Sequence, residues 1–328
     1  MKVLYALQGT GNGHVSRARE LVPHFEQVCD LDVAMTGSQS QLGLDNEPDY
    51  QLSGLSFSFG KTGKVDYLGT LKNLHPLEFI KDVKDFPIEE YDLLVNDFEP
   101  VTAWAAKRKG VPSVAMSNQA AFMSENTPRP DKRSRFSEFV LKRFAPTDEH
   151  VAFHYQEYDS FIHTPLIRSE VRELIPENKG HITVYLPAYG LERTVSLLKW
   201  IGDKEFEVFS KGTDYDFQDE NVRVRPISNV DYLESLRTCD GLLTGAGFEA
   251  PSEALFLGKK LLVVPMRNQY EQVCNAEALA DLGVPSVRKF SDKTISTIGD
   301  WAHFSEPAEV DFPDHARELV EQVIRNHE

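Results

Sequence analysis

Cysteine is scarce in this chain: three among 328 residues, at positions 29, 239 and 274. None forms a CxxC pair, so neither a disulfide framework nor a zinc site is expected, and a reducing cytoplasm fits. Positive charge is also short. Lys and Arg number 35 against 51 Asp and Glu, a net charge of −16. General nucleic-acid binding is thereby excluded, because it needs basic surface to neutralise phosphates. No apolar run approaches the roughly 20 residues that span a bilayer. The apolar start at residues 3–7 is too short for a signal peptide and leads straight into glycines. Repeats and low-complexity tracts are missing too. With 41% hydrophobic and 26% charged residues, the composition is that of an ordinary soluble globular protein, and the length suits about two domains.

Two nucleotide signatures are incomplete. Gly60-Lys61-Thr62 lacks the glycine of a triphosphate loop, since Leu55 stands in its place. A dinucleotide fingerprint fails as well: His14 and Ser16 interrupt the glycine pattern, and the second strand ends at Met35-Thr36-Gly37-Ser38 without a carboxylate for a ribose. No Asp-x-Asp pair sits at a strand end, so no metal is implied.

What is present is alternation. Strand-like stretches at 3–7, 31–35, 93–96 and 111–116 intersperse with helix-like 16–25, 76–86 and 100–109. Residues 38–72 read as loops and short edge strands. A second series follows: strand-like 181–186, 205–210, 222–224, 241–244 and 260–264, with helix-like 191–201, 253–257, 269–282 and 316–326. The expected fold class is α/β, two Rossmann-like units divided as 1–163 and 164–328, with the final helix free to cross back to the first.

The most telling stretch is Gln8-Gly9-Thr10-Gly11-Asn12-Gly13-His14, between a strand and a helix. Gly9, Gly11 and Gly13 allow a tight turn and close approach, and Asn12 shares that loop. The turn delivers His14 to a helix start, where N–H groups favour an anion. A plain turn with a solvent-facing histidine is the structural alternative. Far downstream, Thr244-Gly245-Ala246-Gly247-Phe248-Glu249-Ala250-Pro251-Ser252-Glu253 repeats the theme: apolar strand, glycines, helix start. Its free N–H groups suit a diphosphate. Next comes Met266-Arg267-Asn268-Gln269-Tyr270-Glu271-Gln272, a polar cluster after a strand's carboxyl end, where open α/β sheets bind ligands.

With these two motifs and the weaker Asn96-Asp97-Phe98-Glu99-Pro100, the chain resembles the GT-B glycosyltransferases, specifically family 28 and related family-1-like proteins of the lipid-linked N-acetylglucosaminyltransferase type. The resemblance implies two domains facing across a cleft, the second holding a UDP-sugar and the first offering the acceptor. Gly245, Ala246 and Gly247 would hold the diphosphate, with Ser252 in the same motif. Glu253 would take the ribose hydroxyls, and the loop at Ile227 would lie near the base. Asn268, Gln269, Glu271 and Gln272 would face the donor sugar. One departure is Gly245, where relatives carry a His or Arg; Arg267 and Lys211 are candidate replacements. Another is Thr102, near the expected place of the Asp that orients the catalytic His, so Asp97 or Glu99 substitutes.

The resulting expectation is an inverting, metal-independent transfer of a hexose-type sugar with no cofactor. His14 is the general base, a task suited to an imidazole, which ordinarily titrates near pH 6.5. Residues 131–144 gather five cations beside apolar side chains. That pattern reads either as a helix over the core or as a peripheral contact with the inner membrane face, suiting a lipid-linked acceptor. A UDP-sugar 2-epimerase and a non-catalytic nucleotide-sugar-binding protein are the competing classes.

Overall fold

The computed structural model describes residues 1–9, 12–37, 44, 46–52, 76–266 and 268–328. Gly11, Gly60-Lys61-Thr62, Arg267 and most of 38–72 lie outside the described residues.

The first sheet contains β1 (Lys2–Gln8), β2 (Asp30–Thr36), β3 (Tyr50–Leu52), β4 (Leu93–Asp97), β5 (Ser113–Ser117), β6 (Glu149–Phe153) and β7 (Ile162–His163). Its order is β3-β2-β1-β4-β5-β6-β7, parallel throughout. The second contains β8 (Ile182–Tyr185), β9 (Phe206–Ser210), β10 (Phe217–Asp219), β11 (Val222–Pro226), β12 (Gly241–Thr244) and β13 (Lys260–Val263). Its order is β10-β11-β9-β8-β12-β13, parallel except for the β10–β11 edge. Near-continuous apolar strands such as β1 and β12 suit sheets buried on both faces. Each sheet reverses direction at one point, between β1 and β4 and between β8 and β12. Ligands of open α/β sheets bind outside the strand ends there.

The fold matches the GT-B architecture in having two parallel-sheet α/β units. Helix Asn12–Glu26 starts earlier than its apolar period suggests, which places His14 inside the first turn. Helix Pro100–Lys109 has textual punctuation at both ends: Glu99 caps its N-terminus, Pro100 fills the first turn, and Gly110 closes it at φ 74°. Helix Ala316–His327 packs on helix Asn12–Glu26, and Val320, Val323 and Ile324 share one apolar cluster with Leu21 and Phe25. That cluster continues through Leu242 and Val263, so both sheets contribute to it.

Helix Arg135–Arg143 packs against residues 119–123 of the first half. It buries no residue, and Phe136 and Phe139 are 61% and 64% exposed. Among the described residues no helix is long and apolar enough to cross a membrane.

Candidate active site at the strand ends

In the first half, Gly9 donates its N–H to the Thr36 carbonyl at 2.7 Å. A Cβ on residue 9 would lie 2.9 Å from the Gly37 carbonyl oxygen, so only glycine lets β1 and β2 approach this closely. The β1–β4 register sets Leu7 beside Asp97. His14 Nδ1 then meets Asp97 Oδ1 at 2.8 Å, and the Arg17 Nε donates to Asp97 Oδ2 at 3.1 Å. Arg17 also donates to the Asn118 side-chain carbonyl at 2.7 Å. The Asp97 side chain is fully buried, whereas that of His14 is 12% exposed. Both carboxylate oxygens are therefore committed, and only the imidazole reaches solvent.

Glu99 takes another role than the sequence suggested. Its carboxylate accepts the N–H groups of Val101 and Thr102 at 2.8 and 2.7 Å, and the hydroxyls of Thr36 and Thr102 at 2.6 and 2.5 Å. It caps a helix and cannot orient His14. Burial pushes its pKa up against those bonds. Thr102 is engaged with Glu99 and Asn96.

The second half meets the first directly. Glu249, in the first turn of helix Glu249–Phe256, lies against Gly13, where any Cβ would collide with its carboxylate. Gly13, the second residue of helix Asn12–Glu26, thus serves contact between the halves. Arg17 reaches the same carboxylate at 3.5 Å. Glu271 accepts from the Asn118 amide at 2.9 Å and from Gln119 at 3.2 Å. Burial raises the pKa of Glu271, and neighbouring His14 and Gln119 oppose the rise.

The glycine turn of the second half is open. A Cβ at Gly247 would meet nothing within 4 Å, and one at Gly245 would make only ordinary contact with Gln272 at 3.6 Å. Ala246 is buried, its carbonyl accepting from Asn275 at 3.1 Å. Gln272 bonds the Met266 N–H at 3.0 Å and Gln269 at 2.6 Å. Asn268 is exposed, and Ile227 follows β11 at the same sheet edge.

Two residues of the donor motif already have partners within the protein. The buried Glu253 carboxylate pairs with Arg168 through Nε at 2.5 Å and a terminal nitrogen at 3.1 Å. Burial raises the Glu253 pKa, with Arg168 opposing. Ser252 is buried and donates to the Phe248 carbonyl at 2.8 Å, a bond within its own helix. Sequence reading also missed Arg17, Asn118, Gln119, Arg168 and Glu249. Of these, only Arg17 carried a signal: it follows His14 by one helical turn, on the same face. Among the described residues no cluster of three or more His, Cys, Asp or Glu is placed to hold a metal.

Comparison with known proteins places the chain as a whole. Residues 1–303 match the model of a family described as glycosyl transferase family 1. No curated protein matches the sequence. Among solved structures, Arabidopsis thaliana UGT89C1 complexed with UDP is similar at 15% identity and TM-score 0.60, over 98% of this chain and 94% of that one. MurG of Acinetobacter baumannii aligns at 14% identity and TM-score 0.55, over 99% of each chain. UDP-GlcNAc 2-epimerase from Neisseria meningitidis aligns at 12% identity and TM-score 0.59, over 99% of this chain and 100% of that one. At such identities these structures speak to the fold, whereas the family match spans nearly the whole sequence: the chain belongs to glycosyl transferase family 1 and is a glycosyltransferase of the GT-B fold.

Proposed function

We propose that the protein transfers a hexose-type sugar from a UDP-sugar to an acceptor hydroxyl, with inversion and without a metal. The observation that carries this reading is the His14–Asp97 pair at a helix start, beside Glu249 and Glu271 of the other half. Residues 1–163 serve the acceptor and 164–328 the donor. The similar UGT89C1 was solved with UDP and with UDP-L-rhamnose, which supports a UDP-sugar donor.

Asp97 holds Nδ1 of His14, so Nε2 takes the acceptor proton. The acceptor oxygen forms a bond to the anomeric carbon as the bond to the diphosphate oxygen breaks, and UDP leaves with the electron pair. N–H groups at Gly245, Ala246 and Gly247 and the N-terminus of helix Glu249–Phe256 stabilise the leaving charge. Ile227 lies by the base, while Asn268, Gln269, Glu271 and Gln272 address the sugar hydroxyls. His14→Ala tests the base: UDP release in the presence of acceptor falls by about 10²–10⁴-fold, and near-wild-type transfer overturns the assignment.

The acceptor is a small molecule or a lipid-linked sugar, and the site of action is cytoplasmic. Exposed Phe136 and Phe139 beside Lys132, Arg135 and Arg143 support a peripheral contact with the inner membrane face. Sedimentation with anionic vesicles, compared with neutral ones, checks this contact.

A second reading, UDP-sugar 2-epimerase, draws on Asp97, Glu249 and Glu271 gathering near His14. Incubation with UDP-sugar alone separates the two: an epimer supports the isomerase, and its absence the transferase.

A further inference from the structure

An open pocket of about 220 Å³ lies between the first sheet and the C-terminal end of helix Arg135–Arg143 with the loop at Ala145, Pro146 and Thr147. Protein interiors are close-packed, and an apolar cavity of about 150 Å³ already takes benzene. A space this large is therefore ligand-sized, with room for roughly ten non-hydrogen atoms on the same scale.

The cavity is on the opposite face of the first sheet from His14. Side chains alternate along a strand. In β4, Leu93 and Val95 join the cluster under helix Asn12–Glu26, and Asp97 follows them to His14. Asn96 turns the other way, donating to the Glu99 carbonyl and the Thr102 hydroxyl. The floor of the cavity is Asn96, Ala115, Ser117 and His150, alternate positions of β4, β5 and β6 on that second face. These are mostly small or polar side chains. The last turn of the helix closes one side of the pocket through Leu141, Lys142 and Arg143.

The lining has two characters. Phe98, Met123 and Leu141 supply apolar walls, whereas Lys107, Lys142 and Arg143 put cations at the rim. Lys142 is shared with Glu125 at 2.6 Å and Glu138 at 3.9 Å. Phe98 holds a left-handed backbone at φ 58°, a conformation uncommon for an aromatic residue. It directly follows Asp97.

We propose that this cavity is a second ligand site, separate from the transfer centre, for an amphipathic anion: a short apolar body in the cavity and a carboxylate or phosphate at the Lys107–Arg143 rim. The site does not depend on which sugar is transferred.

Calorimetric titration of the full chain with octanoate tests it, with 1-octanol, inorganic phosphate and anionic vesicles as separate arms. The expected result is saturable octanoate binding at least tenfold tighter than that of 1-octanol or phosphate. Ala115→Leu, which fills the cavity, abolishes it, and Arg143→Met weakens it about tenfold. Because Ala115→Leu is interior, circular dichroism confirms folding, and the surface variant Arg143→Met decides alone if it fails. Equal binding of octanoate and octanol, binding of phosphate as tight as octanoate, binding to vesicles only, or octanoate binding unchanged by Arg143→Met overturns the proposal.

Discussion

Asp97 serves two neighbours at once, and that fixes what each substitution does. His14 occupies one carboxylate oxygen and Arg17 the other. Asp97→Asn keeps the shape but offers an N–H where an acceptor is needed. Transfer is expected to fall by about 10³–10⁴-fold, because the imidazole is left in the wrong tautomer; steady-state kcat against pH measures it. Arg168 presents the opposite case, a residue whose partner is buried. Arg168→Met strands the Glu253 carboxylate and is expected to cost about 3–5 kcal/mol in urea unfolding. Replacing both members with apolar residues restores most of that stability, since an intact buried pair is worth little net. A smaller loss for the single variant than for the double one would contradict this account. The His14 loop was legible in sequence because a strand, glycines and a helix are local features. The Arg168–Glu253 pair was not, since nothing across a separation of 85 positions marks which carboxylate an arginine meets.

At the level of elements, long apolar strands and well-capped helices were readable: β1, β4, β12 and helix Pro100–Lys109 lie where periodicity and caps put them. The sequence reading passed over β6, because Glu149 and His150 break its apolar pattern, and helix Ile295–Phe304, whose Gly299 lowers its propensity. Tertiary packing overrides both signals. Lys259 shows how strongly context acts. Its buried ammonium donates to the carbonyls of Glu177, Arg237 and Cys239 at 2.5, 2.8 and 2.9 Å, tying the segment at Glu177 to the end of helix Asn229–Thr238 and the entry to β12. Lys259→Met leaves those carbonyls unpaired and is expected to lower stability by about 3 kcal/mol. Thermal and urea unfolding check this, and an unchanged midpoint would show that water replaces the ammonium.

Across the whole molecule, the pH dependence of stability depends on a buried histidine that the transfer step does not use. His154 is buried among Phe122, Tyr155, Tyr158 and Phe248. Burial, with Arg129 adding to it, lowers its pKa from 6.5 to about 3. The fold therefore holds it neutral, while the unfolded chain binds a proton near pH 6.5. Its contribution is complete above that pH and is lost as pH falls toward 3, at up to about 1.4 kcal/mol per unit. Between pH 7 and 5, His154→Phe is expected to flatten the stability profile by about 2 kcal/mol relative to wild type. Parallel profiles would mean that other groups dominate.

The central claim concerns the two halves together: the base sits on one and the leaving diphosphate on the other. A crystal structure with UDP bound tests it most directly. The account predicts the diphosphate against the N–H groups of Gly245–Gly247 at the start of helix Glu249–Phe256, with uracil beside Ile227. A diphosphate seated at Gly9–Gly13, next to His14, would contradict it.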